Sequence, residues 1–147
     1  MMSTIDLNTN VVRSFIELFW NQGEFAGTEE FLTSGYVDHA YMPNHKEGLL
    51  NMANILHSAF PDQKWTIESM IAQDDKVVIR LTLRGTHTGT FRGTEPTNQI
   101  IEVNQYREFR LEDGKIAEHW ALFDTATLFR QIGAEWNEQP ACKINRP

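Results

Sequence analysis

The strongest candidate for chemistry in the sequence is an aspartate at the end of the last predicted strand. Asp124 continues one face of that strand, which also carries Glu118, Trp120 and Leu122. A carboxyl group in a partly buried cleft has a raised pKa and can act as a general acid or base. The same position suits a helix cap, because a predicted helix with free backbone amides starts at Thr125. Both roles are open from the residues alone.

Other polar residues lie in or just after predicted strands. Arg80 interrupts an apolar run, either as an outward-facing charge or as a pocket cation that binds a substrate oxygen. His87 comes directly after that strand, and His39 lies beside Asp38 in a tyrosine-rich segment. Each histidine is either a structural residue or a participant in catalysis, and convergence with Asp124 would favour the second role.

Large aromatic residues could line an apolar cavity, with Trp20, Phe60 and Trp120 as candidates, or simply pack in the core. No phosphate-binding glycine loop and no Gly-x-Ser-x-Gly motif occurs. The histidines lack His-x-x-x-His spacing, and the only cysteine is Cys142. The spacing of the histidines therefore favours the absence of a metal site.

These residues need a scaffold of helices followed by strands. Periodicity of three to four predicts helices over 10–22, 28–32 and 46–59. Period-two alternation predicts strands over 64–72, 76–85, 100–111 and 115–123, with a last helix from 125 that ends before Gly133. Residues 36–39 are extended or a loop. This order predicts an α+β fold with an antiparallel sheet.

Composition limits the class of protein. The chain has 147 residues, with 13 Lys and Arg against 20 Asp and Glu, a net charge of −7. This length fits one domain, 1–147, with a core over 10–133 and a polar tail over 134–147. The negative charge argues against binding nucleic acid. No apolar run reaches the ~20 residues of a membrane span, and the N-terminus lacks a signal pattern, so we expect a cytoplasmic protein.

Several short motifs, in order and spacing, resemble the SnoaL-like polyketide cyclase (ester cyclase) family of the nuclear-transport-factor-2-like superfamily. The resemblance covers about residues 10–133. One departure is Asn98, where the family often has glycine after Pro-Thr; asparagine tolerates the left-handed backbone well. The motifs are Tyr36-Val37-Asp38-His39, Phe60-Pro61-Asp62, Arg80, Gly85-Thr86-His87-Thr88-Gly89, Asp113-Gly114-Lys115-Ile116, Glu118-His119-Trp120, Asp124 and Gln131-Ile132-Gly133.

The resemblance implies a cone-shaped α+β barrel in which a curved sheet wraps the N-terminal helices around a deep pocket. It also implies a homodimer paired through the outer sheet face. The named cyclases perform an intramolecular aldol condensation without metal or cofactor, on a small hydrophobic carbonyl substrate. By this resemblance Asp124 would be the acid and base, with His39, His87 and Arg80 as pocket residues that orient the carbonyl.

Two other functions remain open. The same scaffold could bind a small molecule without changing it. Alternatively, two carboxylates and an arginine around one water could open an epoxide, with Asp124, Glu118 and Arg80 in those roles. A Glu118 side chain outside the pocket would exclude this third arrangement.

Overall fold

The computed structural model describes residues 3–134, so the predicted tail lies outside the described residues except for Ala134. A π-helical turn, Ile16–Asn21, and a 3-10 helix, Phe25–Glu30, follow the first helix. The remaining elements are α1 (Thr4–Phe15), β1 (Leu32–Asp38), α2 (Lys46–Ala59), β2 (Lys64–Gln73), β3 (Lys76–Thr86), β4 (Ile100–Glu112), β5 (Lys115–Phe123) and α3 (Thr125–Gln131).

The first helix begins six residues earlier than predicted. Ser3 caps it, because its Oγ accepts a hydrogen bond of 3.1 Å from the backbone N–H of Asp6. Asn8, which lies within the added first turns, is buried. The predicted end is confirmed, since Gly23 adopts a φ of +68° just after the π-helical turn. The helix therefore extends toward the N-terminus beyond the periodic apolar residues from which it was predicted.

The segment after the first helix is the main correction to the predicted elements. The predicted helix over 28–32 is a 3-10 helix that ends at Glu30, and Leu32 already belongs to β1. Strand β1 runs parallel to β5, with Asp38 opposite His119 in the register. A short edge strand with only partial alternation gives a weak period-two pattern, so the sequence indicated only an extended segment at 36–39.

The four predicted strands and α2 are confirmed. Strands β2 to β5 form antiparallel pairs, and the sheet order is β1-β5-β4-β3-β2. Asp113 and Gly114 both have positive φ in the β4–β5 turn, as expected for a tight hairpin. Asn98 adopts a φ of +61°, the left-handed backbone that its replacement of glycine requires. The structure therefore has the expected α+β architecture, with a curved but unclosed sheet.

The core lies between the helices and one face of the sheet. Alternate residues of β3 and β4 point inward and are buried, as Ile79 and Val103 show. α1 packs on this face through Phe15, whose ring centroid lies 6.1 Å from that of Phe109. α2 contributes the buried Leu49 and Leu56. We call the sheet face against the helices the inner face and the opposite one the outer face.

Candidate functional site

A cavity of about 210 Å³ lies on the inner face of the sheet. β4 contributes Gln105 to its wall, and β5 contributes Ala121 and Phe123. α2 closes one side through Met52 and Leu56, which follow its helical spacing. The cavity is therefore built from elements that the sequence patterns predict.

Two loops complete the cavity wall. Tyr41 comes from the segment after β1, and Phe91 with Arg92 come from the loop between β3 and β4. Phe91 is held in a small bridge with Thr94 and packs against Phe60 at a centroid distance of 5.7 Å. Arg92 has a φ of +46° and is exposed at the surface. One cationic side chain thus borders the cavity directly.

A buried carboxylate lies at the end of β1, near this cavity. Asp38 is 0% exposed, and its oxygens accept hydrogen bonds from the Tyr36 hydroxyl at 2.6 Å and from the Ala40 and Tyr41 amides at 2.9 and 3.1 Å. The parallel pairing of β1 with β5 brings His119 Nδ1 to 3.3 Å from both Asp38 oxygens. The fold thereby forms an aspartate–histidine pair that is shielded from solvent.

Arg107 extends this pair toward the cavity. Its Nη1 lies 3.1 Å from Nε2 of His119 and 3.5 Å from the Tyr41 hydroxyl. Because a guanidinium can only donate, Nε2 of His119 accepts, and the ring proton is on Nδ1 facing Asp38. A neutral histidine therefore links a buried arginine to a buried aspartate.

The surroundings of Arg107 leave part of its hydrogen-bonding capacity unused. Its guanidinium carbon lies 4.3 Å from the Trp20 ring centroid and 5.0 Å from that of Trp65. Its Nε and Nη2 atoms, together with Oε1 of Gln105 and Nε1 of Trp20, are buried without a hydrogen-bond partner. Unpaired buried polar atoms are costly, so such a group indicates a place where a ligand or water binds.

The sheet register places Arg107 next to the cavity. Arg107 is directly opposite Ala121 across the β4–β5 pair, and both belong to the inner face. Gln105 is opposite Phe123 in the same pair. Opposite residues have Cβ atoms only ~5 Å apart, so Arg107 is the direct neighbour of a cavity residue, although it is not itself among the residues that line the cavity.

Burial and hydrogen bonding set the protonation states of this cluster. Burial alone would raise the pKa of Asp38, but hydrogen bonds from His119, Tyr36 and Ala40 lower it below its ordinary value. Burial lowers the pKa of His119, and the Arg107 charge lowers it further. Burial and the Asp38 charge raise the pKa of Tyr36. The cluster is therefore an anionic aspartate, a neutral histidine and a cationic arginine.

Asp124 does not point into this cavity. It is exposed and caps α3, because its Oδ2 accepts from the Thr127 hydroxyl at 2.6 Å and its Oδ1 from the Thr127 amide at 3.2 Å. These two hydrogen bonds lower the pKa of the Asp124 carboxyl. Its neighbours Phe123 and Thr125 both line the cavity, so the Asp124 backbone lies at the rim. The predicted capping role is confirmed, and Thr125 is the first residue of the helix.

The two other predicted catalytic residues lie apart from each other. His87 is buried; its Nδ1 lies 2.9 Å from the Thr97 hydroxyl and accepts from the Thr97 amide at 3.2 Å. Burial lowers the pKa of His87. His39 lies at the outer face, stacked on Trp120 at a centroid distance of 4.7 Å and 2.8 Å from an oxygen of Glu118. The structure does not bring either histidine to Asp124.

The predicted substrate-binding residues divide between the two faces. Trp20 and Phe60 are fully buried on the inner side, Trp20 against Arg107 and Phe60 against His87. Arg80, Trp120 and Glu118 belong to the outer face, because they alternate with buried neighbours. Outer-face residues cannot reach a ligand in the inner cavity, which corrects the expectation that these three line it.

The position of Glu118 also tests whether two carboxylates and an arginine are arranged to open an epoxide. Glu118 lies 2.5 Å from the guanidinium Nε of Arg110 on the outer face, and this hydrogen bond lowers its pKa. Asp124, Glu118 and Arg80 are therefore not assembled around one water, and that arrangement is excluded.

Sequence reasoning missed the cluster of Asp38, His119 and Arg107. A signal was present, because Gln105 and Arg107 interrupt an otherwise apolar alternating face of β4 between Val103 and Phe109. Polar residues on the buried face of a strand are a stronger indication of a site than Arg80, which lies on the half-exposed face. The parallel pairing that adds Asp38 has no such signal.

Neither a metal centre nor a membrane span is found within residues 3–134. No group of three or more histidine, cysteine, aspartate or glutamate residues in that range is arranged to hold a metal ion. Among the described helices, none is long and apolar enough to cross a membrane.

Comparison with known proteins places the chain in a family. The model of the SnoaL-like polyketide cyclase family matches residues 10–132, and the chain belongs to this family. A search of curated proteins finds no match.

Solved structures share the fold. AclR of Streptomyces galilaeus, provisionally described as a hydroxylase, has a TM-score of 0.80 and 24% identity, with 88% of this chain and 98% of that chain covered. IdmH of Streptomyces antibioticus, provisionally described as a polyketide cyclase, has a TM-score of 0.76 and 26% identity, covering 86% and 99%. A Bacillus cereus ATCC 10987 protein, also provisionally described as a polyketide cyclase, has a TM-score of 0.77 and 27% identity, covering 90% and 85%.

Proposed function

We propose that this protein is a cofactor-free enzyme that promotes carbon-acid chemistry, of the aldol cyclisation kind, on a small carbonyl compound bound in the inner cavity. The observation that carries this proposal is the set of buried, unpartnered polar atoms on Arg107 and Gln105 beside the cavity. Membership of a family described as polyketide cyclases supports the class of reaction.

The arrangement suits an enol or enolate. The Nε and Nη2 donors of Arg107 match a carbonyl oxygen that gains negative charge when a neighbouring carbon loses a proton. The free Oε1 acceptor of Gln105 matches an enol hydroxyl. Trp20 and Trp65 exclude water from the guanidinium, which strengthens its interaction with the developing charge. The substrate's own conjugation delocalises the charge, so the step needs no metal.

The proton acceptor in this proposal is Asp124. Its backbone lies between the cavity residues Phe123 and Thr125, and a side-chain rotation would turn the carboxylate from Thr127 toward the cavity. In its capping position the carboxyl is a weak base, because the Thr127 hydrogen bonds lower its pKa. The rotation releases those bonds and makes the group a stronger base.

The test is exchange of the α-protons of methyl acetoacetate for deuterium, followed by NMR against a protein-free blank. We expect acceleration by the wild type and a loss of about 10²–10³-fold in Arg107→Gln, the usual effect of removing a donor to an oxyanion. Arg80→Gln, on the outer face, is the matched control and should exchange as fast as the wild type. Exchange that is unaffected by Arg107→Gln contradicts the proposal.

A second candidate function is binding without chemistry. It is favoured by one observation: among the described residues that line the cavity, none is a carboxylate or a histidine. In this case a bound ligand would be recovered unaltered after long incubation, and methyl acetoacetate would exchange at the blank rate.

The proposal includes a homodimer formed through the outer face. Leu122 is 79% exposed and Tyr106 is 53% exposed, and Arg80 and Tyr106 are opposite each other in the β3–β4 register. Exposed apolar residues on a broad sheet are typical of an interface. Light scattering should give a dimer for the wild type and a monomer for Leu122→Asp; a monomeric wild type contradicts this part.

A further inference from the structure

Among the described residues that line the inner cavity, the charged side chain is a cation. Arg92 borders the cavity, and Arg107 is opposite the lining residue Ala121 in the β4–β5 register. None of the described residues that line the cavity is acidic, although the whole chain has a net charge of −7. A locally positive cavity in an acidic protein indicates selection for a negatively charged ligand.

The two nearby aspartates do not reverse this sign. Asp38 does not line the cavity, and its charge is already compensated by hydrogen bonds from Tyr36, His119 and two backbone amides. Asp124 is exposed and bonded to Thr127. Neither carboxylate contacts the Nε or Nη2 atom of Arg107, which remain buried and unpartnered.

A carboxylate matches these atoms in geometry as well as in charge. Two neighbouring guanidinium nitrogens can donate parallel hydrogen bonds to two carboxylate oxygens, the strongest common pairing of an arginine. A neutral ester has no negative charge to pair with the desolvated cation, and its carbonyl oxygen does not offer one full charged acceptor to each donor. The donor pair of Arg107 therefore favours an acid over its ester.

The cavity also limits the size of the ligand. Its volume of about 210 Å³ is below the ~300–1,000 Å³ of pockets that hold drug-sized molecules. Met52, Leu56 and Phe123 leave room for a single ring or a short chain, but not for several fused rings.

We propose that the ligand of the inner cavity is a small organic acid with one ring or a short chain, whose carboxylate binds Arg107. The proposal takes its site from the proposed function but does not require that the ligand reacts. It goes beyond that function by naming an anionic substrate class, where the proposed function names only a small carbonyl compound.

The test compares acids with uncharged molecules of the same shape. The probes are benzoate against benzamide, and 4-oxopentanoate against its methyl ester. Binding is followed by calorimetry and by tryptophan emission in a Trp120→Phe, Trp136→Phe background, which leaves Trp20 and Trp65 beside Arg107. We expect at least one acid to bind about tenfold or more tightly than its uncharged partner, the ratio typical of a charge-assisted hydrogen bond.

Variants locate the source of the preference. Arg107→Gln should remove it, and circular dichroism reports whether this variant is folded. Arg92→Glu should weaken acid binding several-fold at low salt and less at high salt, because this side chain is exposed and screened. Arg80→Gln is the control that should keep the wild-type preference. If Arg107→Gln fails to fold, the proposal is tested by the ratio of acid to uncharged-partner affinity in the wild type and by the effect of Arg92→Glu on acid binding.

The outcomes separate this proposal from the proposed function. If neither acid binds more tightly than its uncharged partner, or if folded Arg107→Gln and Arg92→Glu both keep the preference, the proposal is overturned. Acid preference without proton exchange supports it and contradicts only the catalytic function. Exchange of methyl acetoacetate without acid preference contradicts only the present proposal.

Discussion

The two faces of the β4–β5 hairpin carry the same kinds of residue with different consequences. On the outer face, Arg110 pairs with Glu118, and Glu118 also contacts His39 in a half-exposed setting. On the inner face, Arg107 contacts His119, and His119 contacts Asp38, with all three at most 1% exposed. Each face thus links an arginine, a histidine and a carboxylate, and burial is what distinguishes them.

Burial changes both the energetics and the chemistry. Water and salt screen the outer pairs, so they add little to stability. The inner residues have lost their hydration, so each needs its partners, and the unpartnered atoms of Arg107 and Gln105 are free for a ligand. The residues of the two sets alternate along the same strands. Whether a residue stands at an odd or an even position of the strand therefore decides whether it faces the helices or the outside.

The largest expected effect comes from removing the inner carboxylate. Asp38→Asn leaves the buried Arg107 charge without its anion and disturbs the hydrogen bonds from four partners, so we expect a loss of about 3–5 kcal/mol in the free energy of unfolding. Glu118→Gln, on the outer face, is the matched control and should change stability little. Urea denaturation of both variants checks this. Equal losses of stability in the two variants would contradict the difference between the two faces.

A smaller effect follows from filling the inner cavity. Ala121→Leu adds bulk opposite Arg107 and should cost about 1–3 kcal/mol of stability through overpacking while blocking ligand binding. The adjacent outer-face change, Leu122→Ala, should leave binding intact because Leu122 is exposed. Thermal unfolding and benzoate titration measure both; unchanged binding in Ala121→Leu would place the ligand elsewhere.

The pH dependence of stability should also report the inner residues. The pKa values of His119 and His87 are lowered in the fold, while the unfolded chain has the ordinary value of 6.5. As the pH falls below 6.5, the unfolded state gains protons that the folded state does not, and the free energy of unfolding decreases. Asp38, whose pKa is also lowered, removes further stability only at more acidic pH.

Urea midpoints between about pH 7.5 and about pH 5.5 should therefore decline, with a shallower slope in His119→Gln. A midpoint that stays constant over this range would show that neither histidine is held neutral by the fold.

The smallest effect on stability is expected from a substitution of Asp124. Asparagine caps helices about as well as aspartate, so Asp124→Asn should scarcely change the melting temperature. If Asp124 is the proton acceptor, the same variant loses the exchange of methyl acetoacetate. Full exchange in a stable Asp124→Asn protein would leave Asp124 with the capping role alone.

Much of the fold could be predicted from the sequence, because β2 to β5 and α2 have strong periodicity and their turns contain residues that accept positive φ. The start of α1 and strand β1 could not, since a serine cap and a parallel edge pairing depend on local and long-range contacts. For the site, Trp20 and Phe60 are buried in the core as one of the two open interpretations has it, and neither is among the residues that line the inner cavity. Arg80 is conspicuous in the sequence because it interrupts an apolar run, whereas Arg107 is marked only by its place on the alternating buried face of β4.

The most direct test of the account is a crystal structure of the protein with benzoate or 4-oxopentanoate bound. We predict that the carboxylate oxygens lie within about 3.2 Å of Nε and Nη2 of Arg107, with the rest of the ligand between Ala121 and Leu56. Ligand on the outer face, in the groove formed by His39, Trp120 and Leu122, with the inner cavity unchanged, would contradict the central claim.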